Sequence, residues 1–252
     1  MGPFDLSSRT ALVTGASRGI GFAIAEALAA AGANLILNAR SATALEEARS
    51  RLCSRAQVHI AAFDVTDSAA VAAAIDSIEA EHGPIHILVN NAGIQRRAPL
   101  DQFDDGDWRD LMRTNLDSVY YVSKAVARHM IPRGKGKIIN IGSVQCELAR
   151  PGIAPYTASK GAVKNLTKGM CADWARHGLQ VNAIGPGYFD TPLNKALVED
   201  PAFDAWLRQR TPAGRWGRLE DLHGAAVFLA SAASDFVNGQ TIYVDGGILS
   251  VI

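Results

Sequence analysis

The sequence predicts an α/β fold, a single-domain, doubly wound parallel sheet flanked by helices. Three observations predict it. Short β-branched runs alternate with longer Ala-rich helical stretches along the whole chain. The short runs are continuously apolar, so each strand is buried on both faces. Strands separated by helices connect through right-handed crossovers, which lay helices on both sides of a parallel sheet. At 252 residues, 48% of them hydrophobic and 20% charged, the chain can bury such a core without disulfides or metals.

The elements follow in order. ALVTG at 11–15 is the first strand and stops at a glycine. GIGFAIAEALAAAGA then carries apolar residues on most faces at helical spacing until Gly32 ends it. NLILNA at 34–39 reads as the second strand, SATALEEARSRL as an amphipathic helix and QVHIAAFDV as the third strand. A helix from about Asp67 to Glu81 stops at Gly83-Pro84, and HILVNNAG at 86–93 is the fourth strand. Asp104 to Met130 reads as one long helix, broken by Pro132-Arg133-Gly134. KIINIGSV at 137–144, a helix from Tyr156 to His177, QVNAIGPG at 180–187, further helix and QTIYVDGG at 240–247 complete the series. No linker, low-complexity tract or repeat interrupts it, so residues 1–252 read as one domain. The connection from Pro186 toward Asp221 holds Pro192, Pro201 and Pro212 among helical stretches, and its stretch at about 187–217 suits a lid over a site.

Composition excludes several classes. With 25 Lys+Arg against 25 Asp+Glu, the chain lacks the positive field that tracking a nucleic-acid backbone requires. No stretch approaches the roughly 20 apolar residues of a membrane helix, and MGPFDLSSRT lacks the pattern of a signal peptide. The expectation is a cytoplasmic protein with no nucleic-acid or membrane partner. Cys53, Cys146 and Cys171 are too few and too far apart for a disulfide framework. None of the six histidines is followed by a glutamate as in the His-Glu zinc motifs, so no metal site is expected. Trp174, Trp206 and Trp216 read as core or subunit contacts, and Cys146 as a packing residue without a histidine partner.

TGASRGIG sets Gly15, Gly19 and Gly21 between the first strand and its helix. Glycines let the backbone turn sharply and approach a pyrophosphate, while the helix start offers free N–H groups and a positive dipole end. The spacing is G-x-x-x-G-x-G, and a ligand-free tight turn is its plain structural alternative. An acid about 20 positions on would bind a ribose 2′-hydroxyl. Here the stretch is Asn38-Ala39-Arg40, without a carboxylate. Arg40 and Arg18 can instead fork onto a 2′-phosphate, which favours NADP(H) over NAD(H).

Tyr156 and Lys160 form Y-x-x-x-K on one helix face. A tyrosine of pKa near 10 is a poor acid or base at neutral pH, and an adjacent ammonium lowers that value. Ser143 sits past the end of the fifth strand, where ligands of such sheets bind. TGASRGIG, NNAG at 90–93, Asn115, Ser143, Tyr156 with Lys160, the Pro186-Gly187…Thr191 turn and VDGG at 244–247 occur in this order. With them the chain resembles the short-chain dehydrogenase/reductases over its whole length.

That resemblance implies a Rossmann-type sheet with a cofactor half to about residue 140 and a catalytic and substrate half from about 141. It implies a catalytic tetrad of Asn115, Ser143, Tyr156 and Lys160. Tyr156 would exchange the proton with the carbonyl or alcohol, and Ser143 would orient the substrate. Lys160 would lower the tyrosine pKa and grip the nicotinamide ribose, and Asn115 would anchor a proton-relay water. Cofactor contacts are implied at Gly15, Ser17, Arg18, Gly19, Ile20, Asp64, Val65, Asn91, Ala92, Gly93, Pro186, Gly187 and Thr191, beside Asn38 and Arg40 at the second strand. A homotetramer is implied too, with the Ala-rich helices at 104–130 and 155–177 packing across a two-fold axis.

From about Leu88 onward, stretches such as NNAGIQRR, PGYFDTPLNKALVEDPAFDAWL and RTPAGRWG are similar to the members that act on gluconate. This implies interconversion of D-gluconate and 5-keto-D-gluconate. Such a sugar acid needs a cation and several polar groups. One of Arg96 and Arg97, at the end of the fourth strand, suits its carboxylate, although both could be plain surface arginines. Gln145, Glu147 and Arg150 are candidates for its hydroxyls, with a plain loop as the equal alternative, and Tyr188 in the lid is a further candidate. Two other functions stay open. One is reduction of a different ketone: a 3-oxoacyl thioester, a 3-deoxy-ketogluconate or another sugar. The other is a cofactor-binding regulator without catalysis.

Overall fold

The computed structural model describes residues 2–251. Its first half runs β1 (Thr10–Val13), α1 (Gly19–Ala30), β2 (Asn34–Ala39), α2 (Ala42–Leu52), β3 (Val58–Ala62), α3 (Ser68–Glu81) and β4 (Ile87–Asn90). There follow α4 (Asp105–Met112), α5 (Ser118–Arg133), β5 (Gly136–Ile141), α6 (Ala154–Trp174) and β6 (Leu179–Pro186). The chain finishes through α7 (Lys195–Val198), α8 (Pro201–Arg210), α9 (His223–Ala230) and β7 (Thr241–Val244). The strands pair in parallel in the order β3-β2-β1-β4-β5-β6-β7.

The apolar runs have a direct cause in this sheet. Successive side chains of a strand point to opposite faces, and here both faces are covered. Val13, Leu37, Val89 and Ile139 pack with Ile24 and Leu28 of α1, Leu45 of α2 and Leu229 of α9. Leu12, Ile36, Leu88 and Ile138 pack on the other side with Ile75 of α3, Val126 of α5 and Val163 of α6. The register keeps the two sets apart, with Leu12 level with Ile36 and Leu88, and Leu88 level with Ile138. Each such side chain contributes roughly 1.5–3 kcal/mol on burial. A polar residue at any of these positions would face a helix instead of water.

The long middle helix expected from Asp104 is interrupted. A π turn at Arg113–Asp117 separates α4 from α5 and carries Asn115. Pro132 does not break α5; it lies in the last turn, and the helix ends on Gly134 in the left-handed conformation at φ 66°. Ser41, Asp67, Asp104 and Asp200 cap α2, α3, α4 and α8 by accepting from their first-turn N–H groups.

After β3 the chain returns to the middle of the sheet and lays β4 beside β1. Loops leaving the carboxyl ends of β1 and β4 therefore diverge, which opens a crevice at this switch point. Among the described residues, no helix is long and apolar enough to cross a membrane.

Candidate active site

The crevice is a continuous cleft of about 1170 Å³ along the carboxyl edge of the sheet. At one end lies the turn from β1 into α1. Gly15 there has φ +62°, and a Cβ on it would come within 2.9 Å of both Ala92 Cα and Asn91 Nδ2. The Asn91 amide donates to the carbonyls of Thr14 and Gly15 at 3.0 and 3.1 Å, and Thr14 Oγ1 accepts from the N–H groups of Asn91 and Ala92. The glycine turn and the loop after β4 are thus locked to one another. Thr14 was not singled out by the sequence reading, since a threonine closing a strand carries no pattern of its own.

No side chain caps α1, whose N-cap is Arg18. Its first N–H groups are left for a ligand, in contrast to the capped helices named above. Ser17, Arg18, Gly19 and Ile20 line the cleft here, as do Arg40 after β2 and Val65 after β3. Asn38 also lines it, but its amide donates to the carbonyls of Ala61 and Phe63, so it ties β2 to β3. Burial pushes the Asp64 carboxyl upward, yet bonds from the Thr66 N–H and hydroxyl and the fields of Arg40 and Arg113 hold it below its ordinary range. Arg113, unnoticed in the sequence, borders the same end. Among the described residues neither Arg18 nor Arg40 forms an ion pair with a carboxylate. A glycine cradle, an uncapped helix start and two free guanidiniums fit a phosphorylated dinucleotide.

Midway along the cleft stand Ser143, Tyr156 and Lys160, with Gly93 from one wall and Pro186, Gly187 and Thr191 from the other. Burial pushes the Tyr156 phenol up to about 12, against a hydrogen bond with Ser143 that works downward. Burial likewise pulls the Lys160 ammonium down to about 8. The expected pairing of these two residues is not what the structure holds. Lys160 Nζ donates to the Ile141 carbonyl at 2.7 Å and lies 5.7 Å from the Tyr156 ring centroid. A backbone acceptor at the end of β5 satisfies the buried ammonium, and the groups drawing the phenol down are Ser143 and Arg97. Cys146 Sγ donates to the Lys160 carbonyl, and burial raises its thiol, as befits a packing residue.

Asn115 does not line the cleft. Its Oδ1 accepts from the Ile94 N–H at 2.8 Å, and its Nδ2 donates to the Ile94 carbonyl at 3.0 Å and to Ser159 Oγ at 3.3 Å. The π turn that presents it is a frequent device at functional sites. Through it the loop after β4 is fixed to α6, one residue from Lys160.

The far end is framed by Arg97, Gln145, Arg150 and Tyr188. Arg96 and Arg97 both border the cleft, but Arg96 Nε pairs with Asp107 at 3.2 Å in a half-exposed ion pair, whereas Arg97 acts on Tyr156 and Tyr188. Gln145 is buried and donates from Nε2 to the Tyr188 hydroxyl at 3.3 Å. Over this end lies the segment of α7 and α8, joined below by the Phe189–Gly217 bridge. Phe203 and Trp206 of α8 cluster with Tyr188 and the buried Trp216.

Fold and site together define an oxidoreductase of the short-chain dehydrogenase/reductases, and the chain belongs to that family: a family model described as enoyl-(acyl carrier protein) reductase matches residues 15–249. It is 61% identical over 246 residues to a gluconate 5-dehydrogenase of Gluconobacter oxydans, covering 97% of this chain and 96% of that protein. It is 52% identical over 250 residues to a 5-keto-D-gluconate 5-reductase of Escherichia coli K12, covering 99% and 98%. The crystal structure of a gluconate 5-dehydrogenase from Burkholderia cenocepacia, in complex with NADP and tartrate, superposes with a TM-score of 0.97 at 61% identity, covering 99% of this chain and 98% of the other.

Proposed function

We propose that this protein interconverts D-gluconate and 5-keto-D-gluconate as an NADP(H)-dependent oxidoreductase, with Tyr156 as the acid and base. The observation that carries the reading is one cleft with two unlike ends. A glycine turn and the uncapped α1 with Arg18 and Arg40 form one end, and Arg97 with Gln145 and Tyr188 the other, around the Ser143–Tyr156 pair. Relatives that are 61% and 52% identical and carry the names of this reaction in its two directions support it. So does a relative solved with NADP and the hydroxy acid tartrate.

When bound, the nicotinamide supplies or accepts the hydride. Gly15, Ser17, Gly19 and Ile20 would hold its pyrophosphate, Arg18 and Arg40 the 2′-phosphate, and Asp64, Val65, Asn91, Ala92 and Gly93 the adenosine and ribose side. Lys160, Pro186, Gly187 and Thr191 would border the nicotinamide. The remaining chemistry belongs to this chain. Ser143 positions the substrate oxygen against the Tyr156 hydroxyl, which delivers its proton to that oxygen during reduction. With the phenol held near 12, the proton is in place throughout the neutral range. Asn115 acts as a positioning residue by holding the Ile94 peptide and Ser159. The whole chain works as a single catalytic unit.

We read the assembly as a homotetramer of the cytoplasm, where the NADP(H) pool drives such reactions. Exposed Trp108 of α4, Tyr120 of α5 and Phe236 beside β7 support intersubunit faces. Light scattering on the purified protein checks the mass. The reaction is tested by absorbance at 340 nm with NADPH or NADH against 5-ketogluconate, 2-ketogluconate, a 3-oxoacyl thioester and fructose. Preferred turnover of 5-ketogluconate with NADPH is expected; preference for the thioester refutes the sugar-acid reading.

A further inference from the structure

We propose that Arg150, acting with Arg97, forms the subsite that grips the substrate carboxylate and so sets the preference for acids over neutral ketones. The inference rests on the sugar-acid reading above. Arg150 follows the 3₁₀ turn Val144–Cys146, in the loop between β5 and α6, and borders the cleft beside Gln145, Tyr156 and Tyr188.

Two buried atoms at this end have no hydrogen-bond partner: Arg150 Nε, a donor, and Gln145 Oε1, an acceptor. Buried polar groups are normally satisfied, and these two orphaned atoms belong to residues that border the cleft. The two needs are complementary. A carboxylate answers the guanidinium, and a hydroxyl answers the amide oxygen. A polyhydroxy acid carries both.

The charges point the same way. Among the described residues, neither Arg97 nor Arg150 forms an ion pair with a carboxylate, although Arg96 does. Burial and the field of Arg150 hold the Arg97 guanidinium below its ordinary value. Two unneutralised cations side by side are costly, and an anion between them removes the repulsion. Each is also fixed to the covering segment. The Arg150 guanidinium stacks over the Phe203 ring at 5.4 Å, and Arg97 Nη2 donates to the Leu193 carbonyl at 3.5 Å. A carboxylate held by both would join the loops after β4 and β5 to α8.

The test compares wild type with Arg150→Ala, Arg150→Gln and Arg150→Lys, each checked for native circular dichroism. Steady-state constants are taken with NADPH for 5-ketogluconate and for the neutral ketose D-fructose. Loss of a charged hydrogen bond predicts a rise in KM for 5-ketogluconate of about 10- to 100-fold in the Ala and Gln variants. kcat and the constants for fructose and NADPH should change less than about threefold, and Lys should restore part of the KM. Equal loss on both ketones, or no loss on either, overturns the proposal. A second readout separates it from the reaction assignment. D-Gluconate and the neutral alditol sorbitol are titrated against wild type and Arg150→Gln, following tryptophan fluorescence. Should 5-ketogluconate not be reduced, weaker gluconate binding by Arg150→Gln with sorbitol unaffected still supports the subsite. Equal affinities in the two proteins, or no gluconate binding by wild type, refute it.

Discussion

Replacing Lys160 by Met should make the pH dependence of folding stability change sharply relative to wild type. The ammonium is buried, and its pKa falls from 10.5 to about 8. At roughly 1.4 kcal/mol per unit, that drop amounts to about 3 kcal/mol of destabilisation while the folded lysine is charged. Below pH 8 the cost is present in full. Between pH 8 and 10.5 the unfolded lysine keeps its proton and the folded one has lost it. The unfolded state then binds more protons, so wild-type stability gains about 1.4 kcal/mol per pH unit from this group. The methionine of the variant cannot titrate. The substitution also leaves the Ile141 carbonyl without its donor at 2.7 Å, a cost that is independent of pH and shifts the variant's curve without tilting it. Tyr156 works in the opposite direction above pH 10, where only the unfolded phenol ionises, but it does so in both proteins. Wild-type stability minus that of Lys160→Met should therefore rise by about 3 kcal/mol from pH 7.5 to 10.5. Urea unfolding followed by tryptophan fluorescence at half-unit intervals measures the difference. Parallel curves across that window would refute a buried, desolvated ammonium at this site.

Arg40→Ala should raise KM for NADPH about 10- to 100-fold and leave NADH use within about twofold, measured at 340 nm; equal loss with both cofactors removes the 2′-phosphate argument. Because the Tyr156 phenol sits near 12, ketone reduction should be flat from pH 6 to 7, below the titration of Lys160 near 8, whereas gluconate oxidation should climb by up to about tenfold per pH unit. Tyr156→Phe should lower kcat in both directions by about 10²- to 10⁴-fold with native circular dichroism. Gly15→Ala forces a left-handed residue whose Cβ meets Ala92 Cα at 2.9 Å. A cost of about 2 kcal/mol should lower Tm by roughly 4–8 °C and weaken NADPH binding, both followed by calorimetry.

The elements legible in the sequence are those whose cause lies in a few neighbouring residues. Strands β1, β2, β4 and β5 read as uninterrupted apolar runs because α1, α2 and α9 cover one face and α3, α5 and α6 the other. The glycine turn, Arg40, Ser143 and Y-x-x-x-K could be placed by spacing, since a strand end or a helix face fixes where they point. The π turn at Asn115 was not legible. No local residue marks it, and the partner that Asn115 meets there is the distant peptide of Ile94. Neighbouring Arg96 and Arg97 are alike in sequence, and only the fold shows that Asp107 pairs with Arg96 while Arg97 has no carboxylate among the described residues. Arg150 reads in the sequence as a hydroxyl contact or a plain loop arginine, and only the fold supplies its buried Nε and the Phe203 ring.

The electrostatics of the cleft link the seating of the substrate acid to the acidity of Tyr156. Desolvation disfavours the charged form of all three groups, raising Tyr156 and lowering Lys160 and Arg97. Arg97 is one of two groups that ease the phenol toward ionisation, the other being Ser143. On the proposed reading, a substrate carboxylate taken up between Arg97 and Arg150 cancels that part of the field. The phenol then holds its proton more firmly when a keto acid is seated than when the cleft is free. Binding the acid thus makes Tyr156 a weaker acid and leaves its phenolate harder to form, while a neutral ketone leaves the field of Arg97 uncompensated. The same two arginines would in this way govern affinity and phenol acidity together, and in Arg97→Ala the rise of oxidation rate with pH should move to higher pH, because the remaining phenol has lost its neighbouring cation.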